Sequence, residues 1–492
     1  MEQVRKAGVL MPVSSLPGYY GIGDFGPAAY EFIDMIAKSG FAYWQILPLN
    51  PVAYGNSPYQ PYSSFALDEI YIDLTSLYKD HLLKRLKKKD STNRVDFIEA
   101  RDFKMAQLRL AFEAHMKRNP RCLKRFVEEN PWVVDYAAFA LFHRKNDASW
   151  DAWPEEDKNW VNGDRKMPRN LSHEHRFWIW MQMMAYKQWN AIHAYANKKG
   201  IKIIGDVPFY VGYDSADVWS AQDNFLLSAV DRKPTFIAGV PPDYFSETGQ
   251  RWGNPIWNWE KLQNEGFGFI KQRIVSNARL YDVIRLDHFR AFDTYWEIPA
   301  ECETAIDGKW VEAPGYAFFD TLFAENPLLK DAIIAEDLGD LRPEVLELRD
   351  HYAFPGMSVV EFTFNDDVFM GKKEWNAENL IVYLGTHDND TMAGYLASMK
   401  PSEVENWKEA LDKKGYKEES TVDNLIRFAL DKPAILTVLT VQDILGLGSE
   451  ARINTPGDVG DINWTFKLVD LNALKARLPL IKQWVLASKR VK

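Results

Sequence analysis

Residues 281–289 read YDVIRLDHF, a short and mostly apolar run that carries Arg285 and Asp287 near its end. Val283 and Ile284 lie on opposite faces of an extended chain, a pattern typical of a parallel strand covered on both sides. The period of two places Arg285 and Asp287 on one face of that strand. The stretch therefore predicts a buried strand of an α/β fold with a charged pair at its carboxyl end.

Seven further apolar runs, each bounded by turn residues, occur along the 492-residue chain. They cover residues 8–13, 43–49, 201–209, 331–339, 357–362, 380–388 and 434–445. Several are followed by helical patterns, and eight strand–helix units are what a closed (β/α)8 barrel requires. We therefore predict an α/β fold, a (β/α)8 (TIM) barrel with large helical and loop insertions, as a single domain over residues 1–492.

The spacing of the runs is uneven and predicts two insertions. Between the second and third runs, residues 75–198 carry helical periodicity, and a connection of that length needs structure of its own. After the third run, residues 210–275 are rich in aromatic residues interleaved with Gly, Pro and Asn. We expect a mainly helical insertion after strand 2, and an aromatic-rich insertion after strand 3 that covers the active site.

Aromatic residues on loops indicate the class of ligand. Trp and Tyr are interleaved with turn residues in two segments, PVAYGNSPYQPYSSFA (51–66) and PPDYFSETGQRWGNPIWNWE (241–260). Aromatic residues of an ordinary core follow strand or helix periods instead. Flat rings with a polar edge suit ligands that have an apolar face and a polar rim. A sugar ring is such a ligand.

The charge balance and the cysteine content argue against several classes of function. The chain has 59 basic and 69 acidic residues, a formal net charge of -10, and no basic stripe, so we expect no nucleic-acid partner. Only Cys122 and Cys302 are present, too few for a disulfide framework, which is typical of a reducing compartment. No apolar stretch of about 18 residues predicts a membrane helix, and the N-terminus does not resemble a signal peptide. We therefore expect a cytoplasmic protein without a membrane segment.

Carboxylates recur where the predicted strands end. They are Asp206 in the third run, Asp287 in the fourth, Glu336 with Asp337 in the fifth, and Asp388 in the seventh. In a (β/α)8 barrel the working residues stand at the carboxyl ends of the strands, so these side chains should meet at one rim. Carboxylates are rarely buried unpaired, and their repetition at strand ends indicates a functional site.

Two of these carboxylates suit divided roles in glycoside chemistry. Arg285 should hold Asp287 ionised, which makes Asp287 a candidate nucleophile. Glu336, flanked by apolar residues, should have a raised pKa, as a general acid requires. A separation of about 5 to 5.5 Å between the two would indicate retention through a covalent glycosyl-enzyme. His387 and Asp388 would bind sugar hydroxyl groups as an oxocarbenium-like transition state forms.

Other chemistries have weaker support. GIGDFG (21–26) matches the G-x-G-x-x-G dinucleotide pattern, but the connection before it is too long and no acidic residue follows at the ribose position. We instead expect Asp24 to cap the helix that begins at Pro27. No HExxH motif, Cys/His cluster or calcium loop predicts a metal site, and no G-x-S-x-G elbow predicts a serine hydrolase. We therefore expect no metal and no cofactor.

The ordered set of motifs resembles a known family. Four segments are similar, in their order along the chain, to the four strand-end motifs of the α-amylase clan. They are IIGDVPFYV, VIRLDHFR, IIAEDLG and YLGTHDND. Four further stretches resemble the 4-α-glucanotransferases, also called amylomaltases or disproportionating enzymes. These stretches are SSLPGYYGIGDFG, WQILPLNP, SPYQPYSSFALDEIYIDL and PPDYFSETGQRWGNP. The resemblance spans Pro12 to about Trp464. It implies a barrel without the C-terminal β-sandwich of the amylases.

The resemblance implies a role for each motif residue. Asp287 would be the nucleophile, Glu336 the acid/base and Asp388 the transition-state carboxylate. The residues implied to bind substrate form a larger set, namely Arg285, His387, Asp206, Tyr54, Tyr59, Trp252, Asp243 and Asn454. Within it, Tyr54 and Tyr59 would lie against bound glucose units, and Trp252 would stand on the loop that covers the acceptor.

The implied activity is transfer of α-1,4-glucan segments between maltooligosaccharides or starch-type glucans, with glucose as an acceptor or product. An α-glucan hydrolase with the same carboxylates is the alternative enzyme, because only the fate of the intermediate differs. A non-catalytic glucan-binding protein would keep the aromatic loops but could dispense with Glu336. The presence of Glu336 together with Asp287 and Asp388 favours an enzyme.

Overall fold

The computed structural model describes residues 5–86, 92–242, 246–363, 379–458 and 460–490. Its strands, within those ranges, are β1 (Lys6–Leu10), β2 (Tyr43–Gln45), β3 (Lys202–Val207), β4 (Phe236–Val240), β5 (Gln250–Pro255), β6 (Val283–Leu286), β7 (Thr294–Pro299), β8 (Lys309–Glu312), β9 (Ile333–Ala335), β10 (Gly356–Val359), β11 (Leu380–Tyr383) and β12 (Leu436–Thr440).

A parallel barrel forms the centre of the molecule. In the described part of the chain, eight strands follow the order β10-β11-β12-β1-β2-β3-β6-β9, and each neighbouring pair is parallel. The remaining seam, between β9 and β10, is joined by the N–H of Ala335, which donates to the carbonyl of Pro355 at 2.9 Å. Asp337 reinforces this seam by accepting from the N–H of Met357 at 2.7 Å and from Arg349 at 2.5 Å. The predicted (β/α)8 barrel is confirmed.

Each predicted apolar run overlaps one barrel strand, but the strands are shorter than the runs. The last run, residues 434–445, divides at Thr440 into β12 and a helix, Val441–Leu445. The hydroxyl of Thr440 accepts from the N–H of Asp443 at 3.0 Å, which caps that helix. An apolar run that stays buried across a strand–helix junction has no periodicity to mark where the strand stops.

Helices surround the barrel. They are α1 (Pro27–Lys38), α2 (Leu74–Lys79), α3 (Phe97–Arg118), α4 (Lys124–Glu129), α5 (Trp132–Asn146), α6 (Glu155–Lys158), α7 (Ser172–Lys198), α8 (Ala216–Ser220), α9 (Trp259–Asn264), α10 (Gly268–Ala278), α11 (Gly315–Glu325), α12 (Pro343–His351), α13 (Val360–Thr363), α14 (Met392–Ser398), α15 (Pro401–Lys413), α16 (Thr421–Asp431), α17 (Val441–Leu445) and α18 (Asn472–Ala487). Those from α2 to α7 lie between β2 and β3 in the chain, and α10 packs against β3 and β6 as a barrel crossover helix.

The loop that contains GIGDFG is fixed by a buried ion pair. The N-cap residue of α1 is Gly26, with no side-chain cap, so the expectation that Asp24 caps this helix is wrong. The Asp24 carboxylate instead accepts from Nζ of Lys104 in α3 at 2.7 Å, and both side chains are buried. A local pattern could not reveal this contact, because Lys104 is 80 positions away.

A small antiparallel sheet connects two barrel loops. Its order, among the described residues, is β5-β4-β7-β8, so strands from the segment after β3 pair with strands from the segment after β6. At Gly239 in β4 an added Cβ would stand 2.0 Å from the carbonyl oxygen of Gln250, so only glycine permits this pairing. The sheet joins the aromatic segment to the chain that follows Asp287.

Candidate active site

A buried arginine organises the carboxylates at the ends of β3 and β6. Nη1 of Arg285 donates to both oxygens of Asp206, at 2.8 and 2.7 Å, and to Oδ1 of Asp287 at 2.9 Å. Arg285 and Asp206 are almost fully buried, whereas the Asp287 side chain is 27% exposed. The strand period predicted the contact between Arg285 and Asp287. The exposed edge of Asp287 leaves that carboxylate open to a ligand.

Glu336 lies at the end of β9, beside the chain that follows Asp287. Its Oε2 accepts from the N–H of His288 at 2.7 Å, and its Oε1 accepts from the N–H of Leu338 at 3.0 Å. The N–H of Glu336 itself donates to the carbonyl of Leu286 at 3.0 Å. These contacts tie the ends of β6 and β9 together, so Asp287 and Glu336 stand on neighbouring strands of one rim.

Asp388 follows β11 and is held from the C-terminal part of the chain. Nδ2 of Asn454 donates to its Oδ1 at 2.7 Å, and Nη2 of Arg452 donates to its main-chain carbonyl at 2.7 Å. The N–H of Asn454 also donates to the carbonyl of His387 at 3.1 Å. Asn454 therefore orients Asp388 by a direct side-chain contact, while Asp388 stays partly exposed, at 45% of its side chain.

Tyr59 links these two parts of the rim. Its hydroxyl donates to Oδ2 of Asp206 at 2.7 Å, and its ring stacks on His387 with centroids 4.9 Å apart and planes 9° from parallel. Nε2 of His387 lies 3.3 Å from Oδ2 of Asp388. Trp464 packs against the Tyr59 ring at 5.8 Å. A continuous series of contacts thus runs from Asp287 through Tyr59 to Asp388.

Trp252 of β5 lies over the residue that follows Asp287. Its ring meets the imidazole of His288 edge to face, with centroids 4.9 Å apart and planes at 84°. The main-chain carbonyl of Trp252 accepts from the side chain of Gln60 at 3.0 Å. The aromatic segment after β3 and the loop after β2 therefore meet beside the carboxylates.

Burial raises the pKa of both Asp287 and Glu336. For Asp287 burial is the largest cause; the Arg285 guanidinium opposes it, and the neighbouring carboxylates add to the rise. For Glu336 burial is again the largest cause, and it is opposed by Arg285 and by two main-chain N–H groups. The direction at Glu336 is the one expected from the sequence, whereas at Asp287 burial outweighs the predicted effect of Arg285. Both shifts favour the protonated forms, so the two carboxyl groups hold a proton more tightly than free carboxyl groups would.

The histidines of the rim are neutral near pH 7. Burial lowers the pKa of His387, and the Asp388 charge only partly opposes this effect. Burial lowers the pKa of His288 to about 4. Neither imidazole therefore adds a positive charge beside the carboxylates, whereas Arg285 contacts Asp206 and Asp287 directly.

The structure brings together eight of the residues singled out in the sequence, and one more lies beside them. The group comprises Arg285, Asp206, Asp287, Glu336, His387, Asp388, Tyr59 and Asn454, with Trp252 adjacent through His288. Asp243 lies outside the described residues, and so does the side chain of Tyr54. Sequence reasoning missed the contacts of Gln60, His288, Arg452 and Trp464. The only sequence signal that could have indicated these contacts is closeness along the chain to Asp287, to Asn454 or to the aromatic loops.

Two further observations concern the described residues as a whole. They contain no group of three or more His, Cys, Asp or Glu side chains arranged to hold a metal ion. They also contain no helix that is both long and apolar enough to span a membrane.

Comparison with known proteins identifies the family. The sequence profile of the family described as 4-alpha-glucanotransferase matches residues 11–472. The chain belongs to the 4-alpha-glucanotransferase family. Curated members include the 4-alpha-glucanotransferase of Aquifex aeolicus, 39% identical over 470 residues (94% of this chain and 96% of the relative), and that of Thermus thermophilus, 40% identical over 485 residues (95% and 96%).

A solved structure supports the same conclusion. The amylomaltase from Streptococcus agalactiae, in complex with acarbose, is 32% identical, with a TM-score of 0.92 over 99% of this chain and 100% of that one. The resemblance noted in the motifs and the family membership therefore agree. The site described above is the candidate active site of a 4-alpha-glucanotransferase.

Proposed function

We propose that the chain transfers α-1,4-glucan segments between maltooligosaccharides and starch-type glucans by a retaining double displacement. The observation that carries the mechanism is the gathering of three carboxylates at one rim of the barrel: Asp287 contacts Arg285, Glu336 accepts from the N–H that follows Asp287, and Asp388 lies beside the His387 ring that stacks on Tyr59. Membership of the 4-alpha-glucanotransferase family supports the choice of substrate and reaction.

In the first step Asp287 attacks the anomeric carbon of the donor glucan. The C–O bond to the leaving sugar breaks, and Glu336 gives its proton to the departing oxygen. Arg285 supports this assignment because it contacts Asp287 at 2.9 Å and stabilises the ionised nucleophile. The raised pKa of Glu336 supports its role as the acid.

In the second step a 4-hydroxyl of another glucan attacks the glycosyl-enzyme. Glu336, now ionised, takes the proton of that hydroxyl, and the bond between Asp287 and the sugar breaks. Asp388, oriented by Asn454 at 2.7 Å, binds hydroxyl groups of the sugar as positive charge develops at the anomeric carbon. Asp206, Tyr59 and His387 complete the surface on which that sugar rests.

Transfer requires that a glucan reach the intermediate before water does. The contact of Trp252 with His288 supports a covering role for the aromatic segment after β3, because the ring lies against the residue that follows the proposed nucleophile in the chain. We expect Trp252 to bind the acceptor sugar by its face and to exclude water from the same space.

The catalytic assignment is tested by removing each reacting group. Asp287→Ala and Glu336→Gln should each abolish turnover of maltotriose while oligosaccharide binding stays measurable by calorimetry. Glu347→Gln, which changes an exposed acid on α12, is the matched control and should keep full activity. Retained turnover in Asp287→Ala or in Glu336→Gln would refute the assignment.

The alternative of an α-glucan hydrolase is separated by products. With pure maltotriose, transfer yields glucose together with longer oligomers and leaves the number of reducing ends constant. Hydrolysis raises the number of reducing ends instead. We expect chromatography to show maltopentaose and longer products, with glucose released and also used as an acceptor.

The place of action is part of the same proposal. We propose the cytoplasm, because Cys122 and Cys302 are both free thiols. Plant relatives carry names that place them in the chloroplast or amyloplast, as in Solanum tuberosum. Fractionation of cells that express the chain, with activity assayed in each fraction, tests this assignment.

A further inference from the structure

The main chain directly after Asp287 has an uncommon conformation. His288 lies in the left-handed region, with φ 49° and ψ 50°. Residues other than Gly are uncommon there, because Cβ approaches the following carbonyl oxygen, although His, Asn and Asp adopt this region more often than other side chains. Such strain persists only where the surroundings fix it, and it concentrates at functional sites. The conformation of His288 therefore needs a functional account, which the two reaction steps above do not supply.

The conformation directs a main-chain donor at Glu336. The N–H of His288 donates to Oε2 of Glu336 at 2.7 Å, while the N–H of Leu338 donates to Oε1 at 3.0 Å. The next residue, Phe289, donates its N–H to the main-chain carbonyl of Glu336 at 3.1 Å. Both carboxyl oxygens of Glu336 are thus held by main-chain donors, which fixes the plane of the carboxyl group.

The imidazole of His288 explains how the strain is maintained. The ring is in contact with Trp252 at 4.9 Å and with Tyr210 at 6.2 Å. Its Nε2 is buried and has no hydrogen-bond partner among the described residues. The ring therefore contributes packing rather than charge, and that packing holds the main chain in the left-handed conformation.

We propose that His288 is a positioning residue for the acid/base step: its left-handed main chain aims an N–H at Glu336 and thereby sets the orientation and the proton affinity of that carboxyl group. The inference rests on the proposed role of Glu336. The charged groups that face Glu336 are Arg285 and Asp287 at the end of β6, and Asp337 on its own strand end. The His288 N–H differs from these charged side chains, because its direction depends on the left-handed conformation of the main chain at His288.

Substitutions at position 288 separate the main chain from the side chain. His288→Val places a β-branched residue where the left-handed conformation is most costly, so the N–H should turn away from Glu336. His288→Asn removes the imidazole but tolerates the left-handed conformation, so the N–H should stay in place. Asp147→Val is the matched control, because Asp147 also has a left-handed φ, 48°, and is exposed at the end of α5.

The readout compares kcat/KM on two glycosyl donors. Maltotriose has a poor leaving group, so its cleavage needs a proton from the acid, whereas fluoride can leave an α-maltosyl fluoride without one. For the fluoride, kcat/KM for fluoride release reports only the steps up to the glycosyl-enzyme. We expect His288→Val to lose about a hundredfold in kcat/KM on maltotriose, the scale of acid catalysis, and less than about fivefold on the fluoride. His288→Asn should recover most of the maltotriose rate. Asp147→Val should keep both rates while its thermal midpoint falls.

The pH profile gives a second readout that a purely structural role would not change. The N–H of His288 lowers the pKa of Glu336. Its loss in His288→Val should therefore move the alkaline limb of kcat/KM on maltotriose upward by about one pH unit. His288→Asn should return the limb to its wild-type position.

Three results would overturn the inference. They are equal losses on both donors in His288→Val, a His288→Asn variant no better than His288→Val, and an unmoved alkaline limb. Failure of the proposed function is recognised separately, because Glu336→Gln would then show no difference between the two donors. If Glu336→Gln shows that difference and the variants at position 288 do not, only the role of His288 is refuted.

Discussion

The hydroxyl of Tyr59 donates to Asp206 within a cluster of charges, and its removal tests the sugar-binding surface. Burial raises the pKa of Tyr59, so the hydroxyl keeps its proton throughout the working pH range. Tyr59→Phe loses one hydrogen bond to a charged group, about 1.5 to 3 kcal/mol, and should lower kcat/KM on maltotriose by about tenfold or more.

Tyr195→Phe is the control for this substitution. Its hydroxyl also donates to a carboxylate, that of Asp34 at 2.9 Å, but between α7 and α1 rather than at the rim. This variant should keep wild-type activity. A Tyr59→Phe enzyme as active as Tyr195→Phe would show that the contact with Asp206 has no part in the reaction.

At this scale the sequence predicted contacts within one strand and not those between distant segments. The period of two predicted that Arg285 and Asp287 share a face, and they are in contact at 2.9 Å. The bond from Asn454 to Asp388 spans 66 positions and that from Tyr59 to Asp206 spans 147, so no local pattern encodes either. The motif resemblance singled out Tyr59 and Asn454 but gave neither its partner.

Among the secondary-structure elements, α3 is anchored to the loop before α1 by the buried pair of Lys104 and Asp24. Lys104→Met would leave the Asp24 carboxylate buried without a cation. We expect a loss of about 3 to 5 kcal/mol in the free energy of unfolding at pH 8, measured by denaturant titration. In the double variant Asp24→Asn with Lys104→Met, much of this loss should be recovered, and a double variant no more stable than Lys104→Met would contradict the account.

The same pair predicts a pH dependence. Burial raises the pKa of Asp24 to about 7, with Lys104 opposing the rise and Asp73 adding to it. Because the folded-state pKa exceeds the ordinary value, Asp24 contributes stability that is present below about pH 4 and is lost as the pH rises through about 7. The difference in stability between wild type and Asp24→Asn should therefore shrink as the pH is raised from 5 to 8. A constant difference would contradict the assignment.

The barrel strands were predictable as elements, but the small sheet was not. The eight barrel strands are buried on both faces and so appear in the sequence as apolar runs. β8, with the sequence KWVE, is mostly exposed, and β5, with the sequence QRWGNP, alternates between exposed and partly buried positions over its first four residues. Neither has a continuous apolar pattern, and each is held by pairing with a neighbouring strand, β5 with β4 and β8 with β7.

For the molecule as a whole, closure of the barrel depends on the seam between β9 and β10. At Gly356 an added Cβ would stand 2.4 Å from Oδ2 of Asp337 and 2.8 Å from Nη1 of Arg349. We expect Gly356→Ala to disturb both contacts and to cost about 1 to 3 kcal/mol, seen as a lower thermal midpoint.

Gly268→Ala serves as the comparison for this substitution. Gly268 begins α10, and an added Cβ there meets nothing within 4 Å. This variant should be neutral or slightly more stable, because alanine favours the helix and restricts the unfolded chain. Equal midpoints for the two variants would mean that the seam tolerates the extra atom.

The shared sheet of β4, β5, β7 and β8 has a consequence for protein engineering. Trp252 stands on β5, which pairs with β4, and β4 in turn pairs with β7 from the loop after Asp287. A graft of residues 236–255 from a relative would therefore bring one half of a hydrogen-bonded ladder without the other. Chimeras that exchange residues 236–255 and 294–312 together should fold and take on the product-length distribution of the donor. Chimeras that exchange either segment alone should be recovered mainly as insoluble protein.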